Sequence, residues 1–380
     1  MSTKTIVIKL GTAVLTESNG KIAVERLQNI LDNICIYPMP EYRFIIVSSG
    51  AVGLGRYQLK LTPPLSIEQK QVCASVGQSL LMNTYEGLLK NRKRNCGQIL
   101  VTADDLSDRK KYLSLRNTLE NMLKLNVVPV INENDVLATE ELSHLKESKS
   151  FGDNDMLSAL VASKLDADLL VLLTDVDALY NKNPKLFKDA KKIKRIENFD
   201  DLLKIESQGH SENGRGGMSS KLKALKVAHL SGVSGLIASG FEKDVIKKIV
   251  SNLADQHEDS PGTLFLSHAA LNKKKLWIGL SSGHRGVITI NEGAVSALIH
   301  KKASLLSVGV TDVSGDFQAG DIVQINSSSG EEVGRGISNL QTSELIKMKG
   351  LAVSELPNSH KKSTEVIHRD NLVIFKEIGY

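Results

Sequence analysis

Along the first two-thirds of the chain, short continuous apolar runs alternate with longer segments of helical pattern. The runs Thr5–Lys9, Phe44–Val47, Gln98–Val101, Val127–Ile131, Leu169–Leu173 and Gly235–Ala238 are continuously apolar, without the alternation of a strand that has one wet face. They read as strands covered on both faces of a mainly parallel sheet. Helical patterns lie between them at 23–35, 66–90, 108–125, 154–165, 219–231 and 242–253. Strand and helix alternating in this way predict an α/β fold, a three-layer αβα sandwich.

The texture changes through Asp255-Gln256-His257-Glu258-Asp259-Ser260-Pro261-Gly262 and the basic run Lys273-Lys274-Lys275. Beyond it come short strands with glycine turns: Leu276–Gly279, Gly286–Ile290, Ser304–Val308, Asp321–Ile325 and Leu372–Phe375, with one helix at Gly293–His300. That pattern predicts a small, mostly β barrel. At 380 residues the chain is also too long for one ordinary core. The expected division is a first domain at 1–265, a linker at 266–273 and a second domain at 274–380.

Composition narrows the reading only slightly. An apolar fraction of 41% suits globular folding, and a net charge of +5 neither demands nor excludes nucleic acid. Cys35, Cys73 and Cys96 have no C-x-x-C spacing, so reduced, buried thiols are expected rather than a metal or disulfide framework. The chain opens without a signal-peptide pattern and contains no apolar stretch near the roughly 20 residues of a membrane span. These features predict a soluble, cytoplasmic protein with no membrane partner.

Chemistry concentrates at the predicted strand ends, where open α/β sheets bind ligands. Lys9 ends the first strand and opens the turn Leu10-Gly11-Thr12. Ser48-Ser49-Gly50-Ala51, Asn132-Glu133-Asn134-Asp135 and Thr174-Asp175-Val176-Asp177 each follow a strand. Any one of them is explained by a turn or a helix cap; three in succession point to a site. Gly214-Arg215-Gly216-Gly217-Met218-Ser219-Ser220-Lys221 is a glycine-rich loop before a helix, suited to an anion. Gly152-Asp153-Asn154-Asp155 precedes another helix, and Asp155 could hold two ammonium groups in position. Two lysines at opposite ends of one domain suggest phosphoryl transfer, which needs alignment and positive charge more than covalent chemistry. No G-x-x-x-x-G-K-[ST] motif occurs, and His368-Arg369-Asp370 reads as a surface turn.

In order along the chain, Lys9-Leu10-Gly11-Thr12, Ser48-Ser49-Gly50-Ala51, Val130-Ile131-Asn132-Glu133-Asn134-Asp135, Gly152-Asp153-Asn154-Asp155, Leu172-Leu173-Thr174-Asp175 and Gly216-Gly217-Met218 with Lys221 resemble the glutamate 5-kinases of the amino-acid kinase superfamily. The end of the chain, with Gly286-Val287-Ile288-Thr289-Ile290-Asn291-Glu292-Gly293-Ala294, resembles a PUA domain.

The resemblance implies ATP-dependent phosphorylation of the γ-carboxylate of L-glutamate, the first step of proline synthesis. It implies that Lys9, Lys221 and Asp155 are catalytic, and that Ser49, Gly50, Ala51, Asp135 and Asn154 bind glutamate. Lys9, Gly11, Thr174, Asp175, Gly216, Gly217, Met218 and Lys221 would line the nucleotide. Mg2+ is expected on the ATP oxygens, with no dedicated protein ligand. Further implied are a homo-oligomer (dimer or tetramer), proline as feedback inhibitor and hand-over of product to glutamyl-phosphate reductase. Two departures stand out: Arg215 replaces a small or hydroxylated residue, and the stretch Ala138–Phe151, near the glutamate site, is long. Acetylglutamate, aspartate, carbamate and nucleoside-monophosphate kinases share the sandwich and are the rival readings. Another rival is RNA binding through the PUA domain by Lys273-Lys274-Lys275, Lys301-Lys302 and Lys361-Lys362; the small net charge and few aromatic residues favour solvated turns there.

Overall fold

Seven residues of Lys4–Leu10 form β1, whose last five positions are buried. The structure, a computed structural model, describes residues 3–38, 41–102, 105–106, 108–137, 154–182, 184, 186–197, 199, 218–255, 260–267, 275, 278–279, 284–351 and 365–375. The chain divides into two units, Met1–Ala270 and Leu271–Tyr380.

In the first unit β1 is followed by α1 (Thr12–Leu15), α2 (Val24–Ile36), β2 (Tyr42–Ser48), α3 (Ala51–Gln58), α4 (Ile67–Lys90), β3 (Asn95–Val101), α5 (Arg109–Lys124), β4 (Val127–Glu133), α6 (Asn154–Lys164) and β5 (Leu169–Thr174). Short strands β6 (Leu179–Tyr180), β7 (Lys192–Ile193) and β8 (Arg195–Ile196) precede α7 (Met218–Leu230), β9 (Ser234–Ser239), α8 (Val245–Asp255) and β10 (Thr263–Phe265). Eight strands form one sheet in the order β3-β4-β2-β1-β5-β9-β10-β8. Its first six strands run parallel, and β10 is antiparallel to β9. The expected strands and helices of this unit are all present, because continuous apolar runs such as Leu169–Thr174, buried at every position, can only be accommodated between two helical layers.

Register divides the sheet's side chains between those layers. Ile6, Ile8, Leu10, Phe44, Ile46, Val128, Val130, Val171 and Leu173 pack with Leu27, Ile30 and Leu31 of α2 and Leu81, Tyr85 and Leu89 of α4. Residues one step along each strand point the other way. Lys9 pairs in register with Val47 and Leu172 and therefore faces the layer that holds α6 and α7. Ser48 and Asn132 face α4: Ser48 Oγ lies 3.0 Å from Tyr85 Oη, and Asn132 Nδ2 donates to Gln78 Oε1 at 2.9 Å.

Helix α4 begins with a capping box, in which Ser66 and Gln69 satisfy each other's backbone N–H groups. It packs on α3 backbone to backbone. A Cβ on Gly77 would stand 1.8 Å from Ala51 O, and one on Gly55 would stand 1.8 Å from Cys73 O. Of the cysteines, Cys73 is buried and Cys35 and Cys96 are half-buried, and all three are free thiols. Among the described residues no helix is long and apolar enough to cross a membrane.

The second unit contains β11 (Gly286–Ile290), α9 (Glu292–Lys301), β12 (Leu305–Leu306), β13 (Val310–Gly315), β14 (Ile322–Ser327), β15 (Glu332–Ile337), α10 (Thr342–Met348), β16 (Glu365–Ile367) and β17 (Leu372–Ile374). Five strands form a sheet in the order β13-β11-β14-β15-β17, and β12 pairs with β16. Ile288, Ile290, Leu298, Phe317, Val323, Ile325, Leu345 and Ile367 make its core. Ile278 and Gly279, expected in a strand, are helical instead. His368, Arg369 and Asp370 lie on or beside an exposed 3-10 turn in which His368 Nδ1 accepts from the Asp370 backbone, as the reading of a surface turn requires.

The glycine contact generates a prediction. Ala is the better helix former by about 1 kcal/mol, yet Gly77→Ala should lower unfolding free energy by about 1–3 kcal/mol because the α3 backbone must move. Gly87→Ala, with nothing within 4 Å of the added Cβ, should not. Denaturant midpoints of the two variants check both signs.

Candidate functional site

The carboxyl ends of β1, β2, β4, β5 and β9 lie along one edge of the sheet, because their parallel register aligns Leu10 with Ser48 and Leu173, and Thr174 with Ser239. Tight turns leave that edge. Gly11 N–H donates to Leu173 O at 3.1 Å, and a Cβ on Gly11 would approach the same oxygen to 3.2 Å. Gly50 caps α3 with φ of 93°, a conformation that glycine adopts without strain.

At the centre of the edge stands a buried cluster of charge. Lys9 Nζ lies 2.6 Å from Asp155 Oδ1, and Lys221 Nζ lies 3.2 Å from Asp155 Oδ2. Asp155 is 1% exposed and Lys9 6%, so this pair lies away from bulk water, with Lys221 partly buried beside it. Asp155 sits in the first turn of α6, where the helix dipole also favours an anion. Ser220 Oγ adds a contact to Asp155 Oδ2 at 3.4 Å. Sequence places Lys9 and Lys221 at opposite ends of the unit; folding brings both onto one carboxylate. Two ammonium groups gathered on one buried carboxylate are preorganised positive charge, an attraction for an anionic group.

Beside this cluster, Asn154 Nδ2 donates to Ser49 Oγ at 3.0 Å, joining the ends of β2 and the start of α6. Asn154 Oδ1 is buried and has no hydrogen-bond partner among the described residues. Asp135, just after β4, is half-buried, and burial raises its carboxyl above the ordinary Asp value. Thr174 is buried and donates from Oγ1 to Asp175 Oδ1 at 2.9 Å; Asp175 itself is exposed. Gly240 N–H donates to Thr174 O at 2.8 Å, which holds the end of β5 against β9. Met218 opens α7 and is half-buried. Gly216, Gly217 and Arg215 lie outside the described residues, as do Gly152, Asp153 and the stretch 138–151.

Sequence reasoning missed Gln78 and Gln71, through which α4 holds Asn132 at the end of β4 and Val136 in the turn after it. A signal existed. Ala74, Gln78, Leu81 and Tyr85 follow helical spacing, and a glutamine inside that apolar stripe asks for a polar partner.

Comparison with known proteins bears directly on this geometry. The Amino acid kinase family model matches residues 4–239, and the PUA domain model matches residues 286–359. A glutamate 5-kinase of Caldanaerobacter subterraneus subsp. tengcongensis is 39% identical over 98% of this chain and 98% of its own.

The chain belongs to the glutamate 5-kinase family.

A second member, from Nostoc punctiforme, is 38% identical over 98% of this chain and 100% of its own. Among solved structures, a carbamate kinase from Giardia lamblia bound to AMP-PNP covers 70% of this chain and 100% of its own, at 21% identity and a TM-score of 0.50. That likeness supports the amino acid kinase fold. The glutamate 5-kinases match from end to end, both units included, so the family extends beyond the sandwich to the C-terminal unit.

Two predictions follow from the charges. Asp155→Asn leaves the buried Lys9 and the partly buried Lys221 without their shared anion and should cost about 3–5 kcal/mol of stability, read from denaturant unfolding at neutral pH. Asp135 works in the opposite sense. Its folded-state carboxyl is raised, so the stability linked to its protonated form is present at low pH and lost as pH rises through the folded value. Asp135→Asn should therefore be more stable than the parent at neutral pH, and the gap should close toward pH values below about 4.

Proposed function

We propose that this chain transfers the γ-phosphoryl group of ATP to the γ-carboxylate of L-glutamate, giving L-glutamyl 5-phosphate and ADP, the first step in making proline from glutamate. The observation that carries the reading is the sharing of Asp155 by Lys9 and Lys221 at 2.6 and 3.2 Å. A γ-carboxylate is already ionised at neutral pH. Its oxygen can therefore attack the γ-phosphorus, and the bond from that phosphorus to the bridging oxygen breaks, without any base removing a proton. What the reaction requires is positive charge over the transferring group and alignment of donor with acceptor.

In this reading Lys9 and Lys221 neutralise the charge spread over the transferring oxygens, and Asp155 keeps two like charges at one place. Ser49, Gly50, Ala51, Asp135 and Asn154 hold glutamate. The half-buried Asp135 suits the substrate's α-ammonium, since an arriving cation would offset the burial that raises its carboxyl. Gly11, Thr174, Asp175, Gly216, Gly217 and Met218 line the nucleotide. Magnesium, carried on the nucleotide's phosphate oxygens, supplies further charge neutralisation when bound. In this reading Asp155 serves the two lysines rather than the metal. Assembly as a dimer or tetramer, inhibition by proline and delivery of the acyl phosphate to a reductase belong to the same reading. Sizing the protein tests the first, and initial rates with proline added test the second.

Hydroxamate formation that requires both ATP and glutamate is the expected result, and a preference for aspartate or acetylglutamate as acceptor would overturn the assignment. Lys9→Ala and Lys221→Ala should each lower kcat about 100- to 1000-fold. Asp135→Asn should raise KM for glutamate by at least about 30-fold and leave KM for ATP in place. Initial rates with each substrate varied in turn separate these outcomes.

A further inference from the structure

The turn that presents Asp135 is held from three directions. Leu137 N–H donates to Asn134 O at 3.0 Å, which closes a turn with Asp135 and Val136 at its tip. Asn134 N–H donates to Val101 O at 2.9 Å, fastening the turn's entry to the end of β3. The other two holds come from α4: Gln78 accepts from Asn132 Nδ2 at 2.9 Å, and Gln71 Nε2 donates to Val136 O at 3.1 Å. Gln71 and Gln78 are seven residues apart, two turns along one helix face. They hold the Asn132 side chain before Asp135 and the Val136 carbonyl after it.

Gln78 is the more telling of the two. Glu133 N–H donates to Asn132 Oδ1 at 2.9 Å, which turns Asn132 Nδ2 toward Gln78 Oε1 and so fixes the orientation of both amides. Gln78 Nε2 is left buried with no hydrogen-bond partner among the described residues. An orphaned buried donor costs about 1–3 kcal/mol. A methionine of similar shape would fill the same space but leave Asn132 Nδ2 unpaired instead, so the amide is tied to Asn132 rather than to packing. The same helix is tied to the start of α3 through the Gly77 contact with Ala51 O, and Gly50 and Ala51 belong to the proposed acceptor site. α4 thus reaches two parts of that site from beneath.

We infer that Gln78 and Gln71 are positioning residues for the amino-acid acceptor: they set the height and direction of the Asp135 turn, and through it the affinity for glutamate. The inference rests on the assignment of Asp135 to the substrate's α-ammonium. Neither glutamine touches the transferring phosphoryl group in this scheme, so their loss separates acceptor binding from chemistry.

The experiment compares Gln78→Met, Gln71→Met and the double variant in the full-length protein. Glutamate and ATP are varied separately, and thermal unfolding is followed in parallel. Gln78→Met removes one buried orphan, Gln78 Nε2, and creates another, Asn132 Nδ2, so stability should change little. Each single variant should raise KM for glutamate about 3- to 10-fold, the worth of one hydrogen bond. The double variant should raise it further, with kcat and KM for ATP unchanged within about twofold. An unchanged KM for glutamate in the double variant overturns the inference. So does a parallel fall of kcat, affinity for both substrates and melting temperature, which would mark the glutamines as general supports of the fold. Asp135→Asn is the control: if it also leaves KM for glutamate unchanged, the ammonium assignment fails, and the inference with it. If it raises KM while the glutamine variants do not, the inference alone fails.

Discussion

One carboxylate between two ammonium groups is the constraint on which the site depends. Lys9 comes from the end of the first strand, Lys221 from the first turn of α7, and Asp155 from the first turn of α6. Lys9 is on a strand, and the other two are on different crossover helices. Bringing two like charges together in a buried place is unfavourable unless an anion stands between them, and Asp155 fills that role with one oxygen to each lysine. The helices are therefore not free to shift independently, because moving α6 against β1 or α7 separates a buried ion pair. Geometry needed for chemistry and geometry needed for folding coincide at this carboxylate.

The sheet converts that local constraint into a whole site. In a parallel sheet all the strands deliver their carboxyl ends to the same edge, and register sends successive side chains to opposite layers. Lys9 goes to the α6 and α7 layer and meets Asp155. Ser48 and Asn132, at their own strand ends, go to the opposite layer and meet Tyr85 and Gln78 of α4. The residues after them, Ser49 and Asp135, belong to turns rather than strands and are free to face the cleft. Asn154 at the start of α6 and Ser49 after β2 then meet across the strand ends, beside the Asp155 cluster.

The sandwich was legible because its strongest signals are long and local. β1, β2 and β5 are apolar runs that no exposed element could carry, and Lys9, Ser49 and Thr174 stand where those runs stop. α3 was not legible. Ala51–Gln58 contains Gly53 and Gly55, poor helix formers, and its helix depends on the close approach to α4 that Gly55 and Gly77 permit. β15 escaped for a related reason: Gly334 and Gly336 weaken a strand pattern, yet a Cβ on Gly334 would fall 2.1 Å from Val373 O of the neighbouring strand. Ile278 and Gly279 misled in the other direction, since a short apolar run is equally compatible with a helix. In the site, Asp155 could be argued from its charge, whereas Gln78 could not be argued without its partner. A glutamine acquires meaning only when the fold shows which polar group it satisfies.

The same contrast explains why the cluster at Asp155 is retained. Burying three charges is a poor way to stabilise a core. Replacing a buried ionic cluster with apolar residues of similar volume is often neutral or stabilising by about 1–4 kcal/mol. Val47 and Leu172, the register partners of Lys9 on either side, show that an apolar residue would fit the pattern of the sheet at that level. Stability alone therefore favours a third apolar residue, and the sheet carries a lysine. The cost becomes intelligible when the cluster is considered with an anionic substrate in place. In the proposed reaction the preorganised ammonium groups need not rearrange as charge moves onto the bridging oxygen. An arrangement tolerated in the folded state becomes favourable in the reacting one, and that difference is the energy available for catalysis.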